Sequence, residues 1–423
     1  MKVNTLILLF TACLLLNCKN EPDTKIELIT ATLKGEVIDR DSKVLLLTKS
    51  TEDARTDSDV VKIPIENGKF EYEFLPKDME AYELIFEDEY LDGGWRPTTF
   101  FPEKGITTFT LYPMDRFSEN KMSNNGLNEN LNNFKQTISS EFDKKNKVFY
   151  EQNDKLGYNN LTSKDYKKIN KKLSLAKNQE ERVPLYEELR GLKNAGLDRS
   201  ELGKKRDSIY EIISNEYLEN RYKYIEDNPS LVSFHFLIED LMFRKERVGE
   251  KRLLGAFQKL KKQYPEHRYT KLGDNLFRAL NDLKPGGQYV DFSAPDIKGN
   301  TVEFKTVLEQ NKIVLLDLWA TWCGPCIAKT RLARPIYEKY KDKGFTILGV
   351  AGERRNLEAY NNFMKKEQWP WLQLLEIGNK NNIWEKYNIK NTGGGMFLVD
   401  SSGEILAVDP KADELDKILS DRL

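Results

Sequence analysis

The feature that most constrains this chain is a pair of cysteines three positions apart, placed directly after an apolar run. The chain contains four cysteines. Two of them, Cys13 and Cys18, fall in an apolar N-terminal leader, which leaves Cys323 and Cys326 as the thiols expected in the folded body. A body without further cysteines avoids competing disulfides, and this indicates a redox-active dithiol.

The residues around the pair predict a strand followed by a helix. Residues 312–320 (KIVLLDLWA) are almost continuously apolar, which is typical of a strand buried on both faces. A helix is predicted to begin near Cys323, where free N–H groups and the helix dipole favour a thiolate. Such a position can lower a cysteine pKa from about 8.5 toward 7. Pro325 suits this first turn, since the N–H that it lacks would be unpaired there.

Asp317 is a carboxylate inside the predicted strand, six residues before Cys323. Burial in an apolar strand should raise its pKa, so that it can take up the proton of Cys326. Cys323 is then the predicted nucleophile, and Cys326, one turn further along the helix, is the predicted resolving cysteine.

Residues 319–326 (WATWCGPC), with Asp317 ahead of them, resemble the active site of membrane-anchored, TlpA-like thiol:disulfide oxidoreductases. These belong to the thioredoxin superfamily branch that includes the alkyl hydroperoxide reductase/thiol-specific antioxidant group. The likeness covers about residues 285–423, and Ala294-Pro295-Asp296 and Gly299 match the opening of that domain. It implies a thioredoxin fold that needs no cofactor beyond the dithiol. It also implies an active site made of Cys323, Cys326 and Asp317, with Trp322, Gly324 and Pro325 as motif residues.

Three other interpretations of the cysteine pair are weaker. A zinc site needs about four ligands, and only the distant His235 and His267 could join the two cysteines; no metal is therefore predicted. An inert structural disulfide closing so small a ring would be strained and would add little stability. A peroxiredoxin would need a proline and a threonine where this chain has Leu316 and Ala320.

The chain departs from the family pattern at three places. Where thioredoxins have a cis-proline that pairs with substrate, this chain has Gly394, within the predicted substrate-docking loop of Gly393, Gly394 and Gly395. Arg331 stands where the active-site helix usually carries a proline, and the next proline is Pro335. Lys329 replaces a common glutamate, and a lysine near the Cys323 thiolate would make the dithiol more oxidising; a solvent-facing lysine is the alternative.

The N-terminus is predicted to direct export. Met1-Lys2 precedes about a dozen apolar residues, fewer than the roughly twenty that a spanning helix needs. Residues 14–18 (LLLNC) resemble a bacterial lipobox, which makes residues 1–18 a signal peptide and Cys18 the lipid-anchor cysteine. Cys13 and a plain cleaved signal are the alternatives. We expect a periplasm-facing protein of a Gram-negative-type cell envelope, attached to a membrane.

Composition excludes some partners. The 66 basic and 67 acidic residues nearly cancel, so no net field favours nucleic acid or an anionic surface. A mean hydropathy of −0.62 excludes a protein with many membrane spans. The expected partners are disulfide-containing protein substrates and an upstream dithiol protein that supplies electrons.

The remaining sequence predicts a multidomain chain. Residues 25–113 are predicted to form an antiparallel β-sandwich, in which Asn67-Gly68 joins residues 61–65 and 70–74 into a hairpin. Residues 118–284 are predicted to be helical, with Ser230 capping one helix and Ile209, Ile212, Ile213, Tyr217 and Tyr224 on one face of another. Residues 284–287 (KPGG) are a predicted hinge before the thioredoxin-like domain, residues 285–423.

The sequence thus predicts an exported, lipid-anchored thiol:disulfide oxidoreductase. The main alternative is a scaffold lipoprotein that uses its thioredoxin fold for docking, and peroxide reduction is a third possibility.

Overall fold

The computed structural model describes residues 29–52, 54, 59–123, 125–353, 357–389 and 394–423. The predicted signal peptide with Cys13 and Cys18 lies outside these residues, and so does Gly393. Along the described chain, strands come first, helices follow, and strands and helices then alternate. This order is compatible with the predicted organisation.

The N-terminal part is built from short strands. Its elements are β1 (Ala31–Val37), β2 (Val44–Lys49), β3 (Val61–Pro64), β4 (Lys69–Phe74), β5 (Tyr82–Phe86), α1 (Glu87–Asp92), β6 (Thr98–Phe100), β7 (Gly105–Leu111) and β8 (Lys121–Met122). They form two four-stranded sheets, with strand orders β4-β1-β7-β8 and β3-β2-β5-β6. Apolar side chains from both sheets share one hydrophobic core, an arrangement compatible with a sandwich.

Two details of the β prediction are wrong. The fold is not wholly antiparallel, because β1 and β7 pair in parallel; the long connection between them passes through the second sheet, which permits a parallel return. The Asn67-Gly68 turn forms, with positive φ at both residues and reciprocal hydrogen bonds between Glu66 and Lys69. The hairpin does not continue, because β3 pairs with β2 whereas β4 pairs with β1 in the other sheet.

The central part is helical. Its helices are α2 (Gly126–Phe134), α3 (Ser140–Asn153), α4 (Tyr158–Leu161), α5 (Lys164–Leu175), α6 (Gln179–Asn194), α7 (Glu201–Asp227), α8 (Leu231–Phe243), α9 (Lys245–Val248), α10 (Glu250–Gln263) and α11 (Arg268–Asp282). Ser230 caps α8 as predicted, since its side chain accepts a hydrogen bond from the Ser233 N–H.

The predicted buried face of α7 is only partly buried. Tyr217 and Tyr224 pack against the central helical core, but Ile209 is 45% and Ile212 is 69% exposed. Helix α7 has 27 residues, which makes it about 40 Å long at 1.5 Å per residue. Most of its buried residues lie in its C-terminal half, so the first half extends beyond the core.

The C-terminal part is a five-stranded mixed sheet with helices. Its elements are β9 (Ser293–Pro295), β10 (Thr301–Glu303), α12 (Phe304–Glu309), β11 (Ile313–Trp319), α13 (Gly324–Tyr340), β12 (Phe345–Glu353), α14 (Glu358–Glu367), β13 (Gln373–Ile377), α15 (Ile383–Lys386), β14 (Gly395–Asp400), β15 (Ile405–Val408) and α16 (Ala412–Arg422). The strand order is β13-β12-β11-β14-β15. Strand β11 is central and fully buried, and one hydrophobic cluster covers each face of the sheet.

The C-terminal sheet is attached to the preceding helices, and the segment predicted as a hinge is hydrogen-bonded. The Gly286 N–H donates to the Ile405 carbonyl at 2.8 Å, and the Ile405 N–H donates to the Gly287 carbonyl at 2.8 Å. On α11, the Arg278 guanidinium donates to the Lys386 carbonyl at 2.9 Å. Gly286 and Gly287 therefore extend along β15, and the hinge at residues 284–287 stays a prediction.

Within the described part of the chain, none of the helices combines the length and the apolar character that a membrane crossing requires.

Candidate active site

The two cysteines lie at the point where the central strand passes into a helix. Strand β11 ends at Trp319 and α13 begins at Gly324, which places Cys323 at the N-cap position. Cys323 and Cys326 form a disulfide with a Cα–Cα distance of 5.3 Å. The Cys326 N–H donates to the Cys323 sulfur at 3.3 Å. In the reduced state, this amide and the helix N-terminus would both stabilise negative charge on Cys323.

The surface of the pair is small and is flanked by the predicted motif residues. Cys323 is 5% and Cys326 is 9% exposed. Pro325 is exposed in the first turn of α13, while Trp322 and Gly324 are half-buried. A substrate must therefore reach the sulfurs through the small exposed surface of these two residues, beside the exposed Pro325.

Asp317 lies at the middle of β11 and is almost completely buried. The Thr330 hydroxyl donates to its Oδ2 at 2.6 Å and is also 3.0 Å from the Cys326 carbonyl oxygen. Burial raises the pKa of Asp317 to about 7; Asp409 raises it further, whereas Thr330 and Lys329 oppose the shift. Asp317 can thus exchange a proton near neutral pH, and Thr330 links it to the Cys326 carbonyl.

Thr330 suits both protonation states of Asp317. A hydroxyl has one proton and two acceptor lone pairs. When Asp317 is ionised, Thr330 donates to it. When Asp317 is protonated, it can donate to Thr330, whose own proton then goes to the Cys326 carbonyl. Neither state leaves the Asp317 carboxyl without a partner in this buried place.

The Lys329 ammonium is paired with a carboxylate. Its Nζ lies 3.1 Å from Asp409 Oδ1, and the same oxygen accepts a hydrogen bond from the Met396 N–H at 3.2 Å. Met396 in turn pairs in register with Asp317 across β11 and β14. Lys329 and Asp409 therefore lie beside the buried carboxyl, and the geometry does not support the hypothesis that Lys329 serves the Cys323 thiolate.

Glu353 supports the loop that leads into the cysteines. It is buried at the end of β12. Its Oε1 accepts the Thr321 N–H at 3.0 Å, and its Oε2 accepts the Thr321 hydroxyl at 2.9 Å. Two hydrogen bonds to one residue fix the backbone of the loop between β11 and α13.

The described part of the predicted substrate-docking loop approaches the disulfide. A Cβ placed on Gly394 would lie 1.9 Å from the Leu318 carbonyl oxygen and 3.0 Å from the Cys326 sulfur. Gly395 is the first residue of β14 and pairs with Leu318. This backbone course accepts only glycine at position 394, which gives a steric reason for the departure from proline. The role of the loop in substrate docking stays a prediction.

Arg331, which stands where the family usually has a proline, forms an ion pair with another helix. The Arg331 guanidinium forms a two-point ion pair with Glu367 of α14, at 2.6 and 3.0 Å. Pro335 lies inside α13, and it cannot donate a backbone hydrogen bond to the Arg331 carbonyl.

Sequence reasoning missed Thr330, Glu353 and Asp409. Thr330 follows Cys326 by four residues, so helical periodicity places the two on one face and could have indicated it. Glu353 and Asp409 are distant in sequence from the cysteines, and no local signal marks them. Across the described residues, no group of three or more His, Cys, Asp or Glu side chains is arranged to hold a metal ion.

Residues 285–408 match the AhpC/TSA family model. Thiol-disulfide oxidoreductase ResA of Bacillus cereus (strain ZK / E33L) is 27% identical over 135 residues, which cover 32% of this chain and 75% of that protein. The same-named protein of Geobacillus kaustophilus (strain HTA426) is 28% identical over 133 residues, 31% of this chain and 72% of that protein. Together with the mixed sheet and the cysteine-led helix, these matches define the C-terminal part as a thioredoxin-like oxidoreductase domain.

Among solved structures, the thioredoxin domain of a thiol-disulfide oxidoreductase from Bacteroides vulgatus is 30% identical. The match covers 32% of this chain and 96% of that chain, with a TM-score of 0.30. A thiol:disulfide interchange protein from Bacteroides sp. is 29% identical, covering 33% of this chain and 89% of that chain, with a TM-score of 0.29.

Replacing Thr330 with valine should raise the pKa of Asp317 above its value of about 7. Valine keeps the shape of the side chain but removes the hydroxyl that stabilises the carboxylate. A hydrogen bond to a charged group corresponds to about one to two pKa units. Carboxyl ¹³C NMR of Asp317 measures the shift directly. Thr330→Ser retains the hydroxyl and is the matched control; equal titration of all three proteins would contradict the prediction.

Proposed function

We propose that this chain is an exported, lipid-anchored thiol:disulfide oxidoreductase that exchanges disulfides with protein substrates. The observation that carries the proposal is the Cys323–Cys326 disulfide at the start of α13, where Thr330, one helical turn after Cys326, is hydrogen-bonded to the buried carboxyl of Asp317. A nucleophile at a helix N-terminus and a proton acceptor with a pKa near 7 are the two components that dithiol exchange needs.

The reaction proceeds in two exchange steps. The Cys323 thiolate attacks one sulfur of the substrate disulfide, which forms a mixed disulfide and releases one substrate thiolate. Cys326 then gives its proton to Asp317 and attacks the Cys323 sulfur. The Cys323–Cys326 disulfide forms, and the second substrate thiolate leaves. The substrate has gained two electrons, and a separate dithiol protein restores the reduced pair.

The proposed location of the protein follows from its predicted signal peptide, residues 1–18. Lipidation at Cys18 would attach the protein to a membrane of the cell envelope, and export would place the dithiol where disulfide chemistry occurs. The related ResA and thiol:disulfide interchange proteins support the class of reaction.

Trapping of substrates in cells tests the proposal. A Cys326→Ser variant should accumulate partners that are disulfide-linked to Cys323, because the resolving step is lost while the first attack remains. Non-reducing gels followed by reduction and mass spectrometry reveal these partners. The double variant Cys323→Ser/Cys326→Ser is the control and should trap none. If both variants recover the same partners without any covalent link, the chain is a docking scaffold and the proposal is wrong.

A further inference from the structure

Helix α6 of the central helical part lies on the active-site helix. The two helices contact each other although more than a hundred residues separate them in sequence. The helices that come directly before the C-terminal domain are therefore not the only ones that touch it. One helix from further back packs on the helix that begins at the cysteines.

Burial of Ala328 shows which face of α13 is covered. Cys326 and Ala333 belong to the core between α13 and the sheet. At 3.6 residues per turn, Ala328 points about 200° away from Cys326, on the side opposite the sheet. That side would face solvent if the C-terminal domain stood alone, yet Ala328 is 0% exposed. Helix α6 contacts α13, and residues 332, 334, 335, 338 and 339 of α13 are exposed, which places the α6 contact in the N-terminal half of α13, near Ala328.

The covering element is a discrete helical hairpin. Helices α5 and α6 pack against each other. The chain segments just before α5 and just after α6 are hydrogen-bonded to each other. Thr162 and Arg199 form an isolated β-bridge, and the Ser163 N–H donates to the Asp198 carbonyl at 2.9 Å. We call residues 164–194 the covering hairpin. Because its two ends meet, it can be removed without separating the elements that it joins.

The hairpin leaves one side of the disulfide open. Pro325 and Leu332 of α13 are exposed, whereas Ala328 between them is covered. During exchange, the Cys323 sulfur attacks in line with the substrate disulfide bond that breaks. The substrate disulfide must therefore reach the small exposed surface of Cys323. A small or extended disulfide needs only the open side at Pro325. A folded protein also needs clear surface around the sulfur, and the covering hairpin packs on the helix that begins beside it.

We propose that the covering hairpin determines substrate specificity, by restricting access of folded-protein disulfides to Cys323 while small or extended disulfides still enter. This inference rests on the proposed thiol:disulfide exchange and specifies its substrate class. Restriction of this kind requires the hairpin to lie on α13 in most molecules. If an open state makes up about a tenth of the population or less, exchange with folded proteins is slowed about tenfold or more.

The first experiment removes the hairpin from the full chain. Residues 164–197 are replaced by a short glycine–serine linker between Ser163 and Asp198, and circular dichroism checks folding. Rates of exchange are measured with insulin as the protein disulfide and oxidised glutathione as the small one. We expect the insulin rate to rise about tenfold or more and the glutathione rate to stay within about twofold. An unchanged ratio of the two rates, or a fall in the insulin rate, overturns the proposal.

A second variant tests the contact without a deletion. Ala328→Gln adds a neutral, longer side chain under α6 and should displace the hairpin, which faster tryptic cleavage in lysine-rich α5 would reveal. Leu332→Gln adds the same group one turn further along α13, where the side chain is 38% exposed, and should change neither readout. If Ala328→Gln exposes α5 to trypsin but leaves the insulin-to-glutathione ratio unchanged, the hairpin does not select substrates.

Failure of this proposal can be separated from failure of the proposed function. A full-length Cys323→Ser protein is measured with both substrates. If the unmodified chain exchanges no faster than this variant, the proposed function is wrong. If it exchanges faster, and hairpin removal leaves the substrate ratio unchanged, only the inference about the covering hairpin is wrong.

Discussion

Replacing Cys323 with serine should reduce the rate of disulfide exchange by about three orders of magnitude or more, as expected when an enzyme loses its nucleophile. A serine hydroxyl stays protonated near neutral pH. The Cys323 sulfur, in contrast, accepts a hydrogen bond from the Cys326 N–H and lies at the positive end of the helix dipole, and both stabilise its thiolate. Steady-state reduction of a protein disulfide, with a dithiol reductant in excess, measures the loss.

The Cys326→Ser variant separates the first attack from the resolving step. It should lose steady-state turnover but still release one thiol equivalent in a single turnover, because the first attack needs only Cys323. If Cys323→Ser kept more than about a tenth of the activity, the assignment of the nucleophile would be wrong.

Replacing Asp317 with asparagine should make the protein more stable at pH 8 and less active. The pKa of Asp317 rises from 3.8 in the unfolded chain to about 7 in the native state, chiefly because of burial. The native state therefore binds this proton more strongly than the unfolded state does, and stability falls as pH rises through this range. At about 1.36 kcal/mol per pKa unit, this shift of about three units means that ionisation costs the native state roughly 4 kcal/mol by pH 8.

Asparagine does not ionise, so it avoids this cost. Urea unfolding should show Asp317→Asn to be more stable than the original chain at pH 8, with the difference vanishing toward pH 4. Asp342→Asn, at an exposed carboxylate of the same domain, should show no such pH-dependent gain. The resolving step should slow about a hundredfold or more, since its proton acceptor is lost. A gain in stability without a loss of rate would leave Asp317 with no catalytic role.

The two variants test different properties of the site. Cys323 is placed by the local chain, since the strand–helix junction holds it at a helix N-terminus. Asp317 owes its raised pKa to the packed domain, because burial in the apolar sheet raises the pKa while Thr330 and Lys329 limit the rise.

Many elements could be predicted because their signals are local. The apolar run before the cysteines became β11, and the helix began one residue after Cys323. The Ser230 cap and the Asn67-Gly68 turn also formed where they were expected. Each depends on residues within a few positions of one another, so the sequence specifies it without knowledge of the rest of the fold.

Predictions failed where the outcome depended on distant partners. The turn at Asn67-Gly68 was right, but β3 and β4 joined different sheets, since β3 pairs with β2 and β4 pairs with β1. Ile209 and Ile212 have helical spacing, yet they stay exposed because the core ends before them. Gly286 and Gly287, within the predicted hinge, hydrogen-bond to Ile405 of β15, a contact with a distant segment that the sequence does not indicate.

The sequence by itself determined that Cys323 and Cys326 share one helical turn after a buried strand, and that a carboxylate lies within that strand. These features follow from spacing and polarity, which act over a few residues. Only the tertiary structure decided that Asp409 and Lys329 lie beside Asp317, that Glu353 holds the loop before Cys323, and that α6 covers α13. Such contacts join segments far apart in the chain, and they form only when whole sheets and helices pack together.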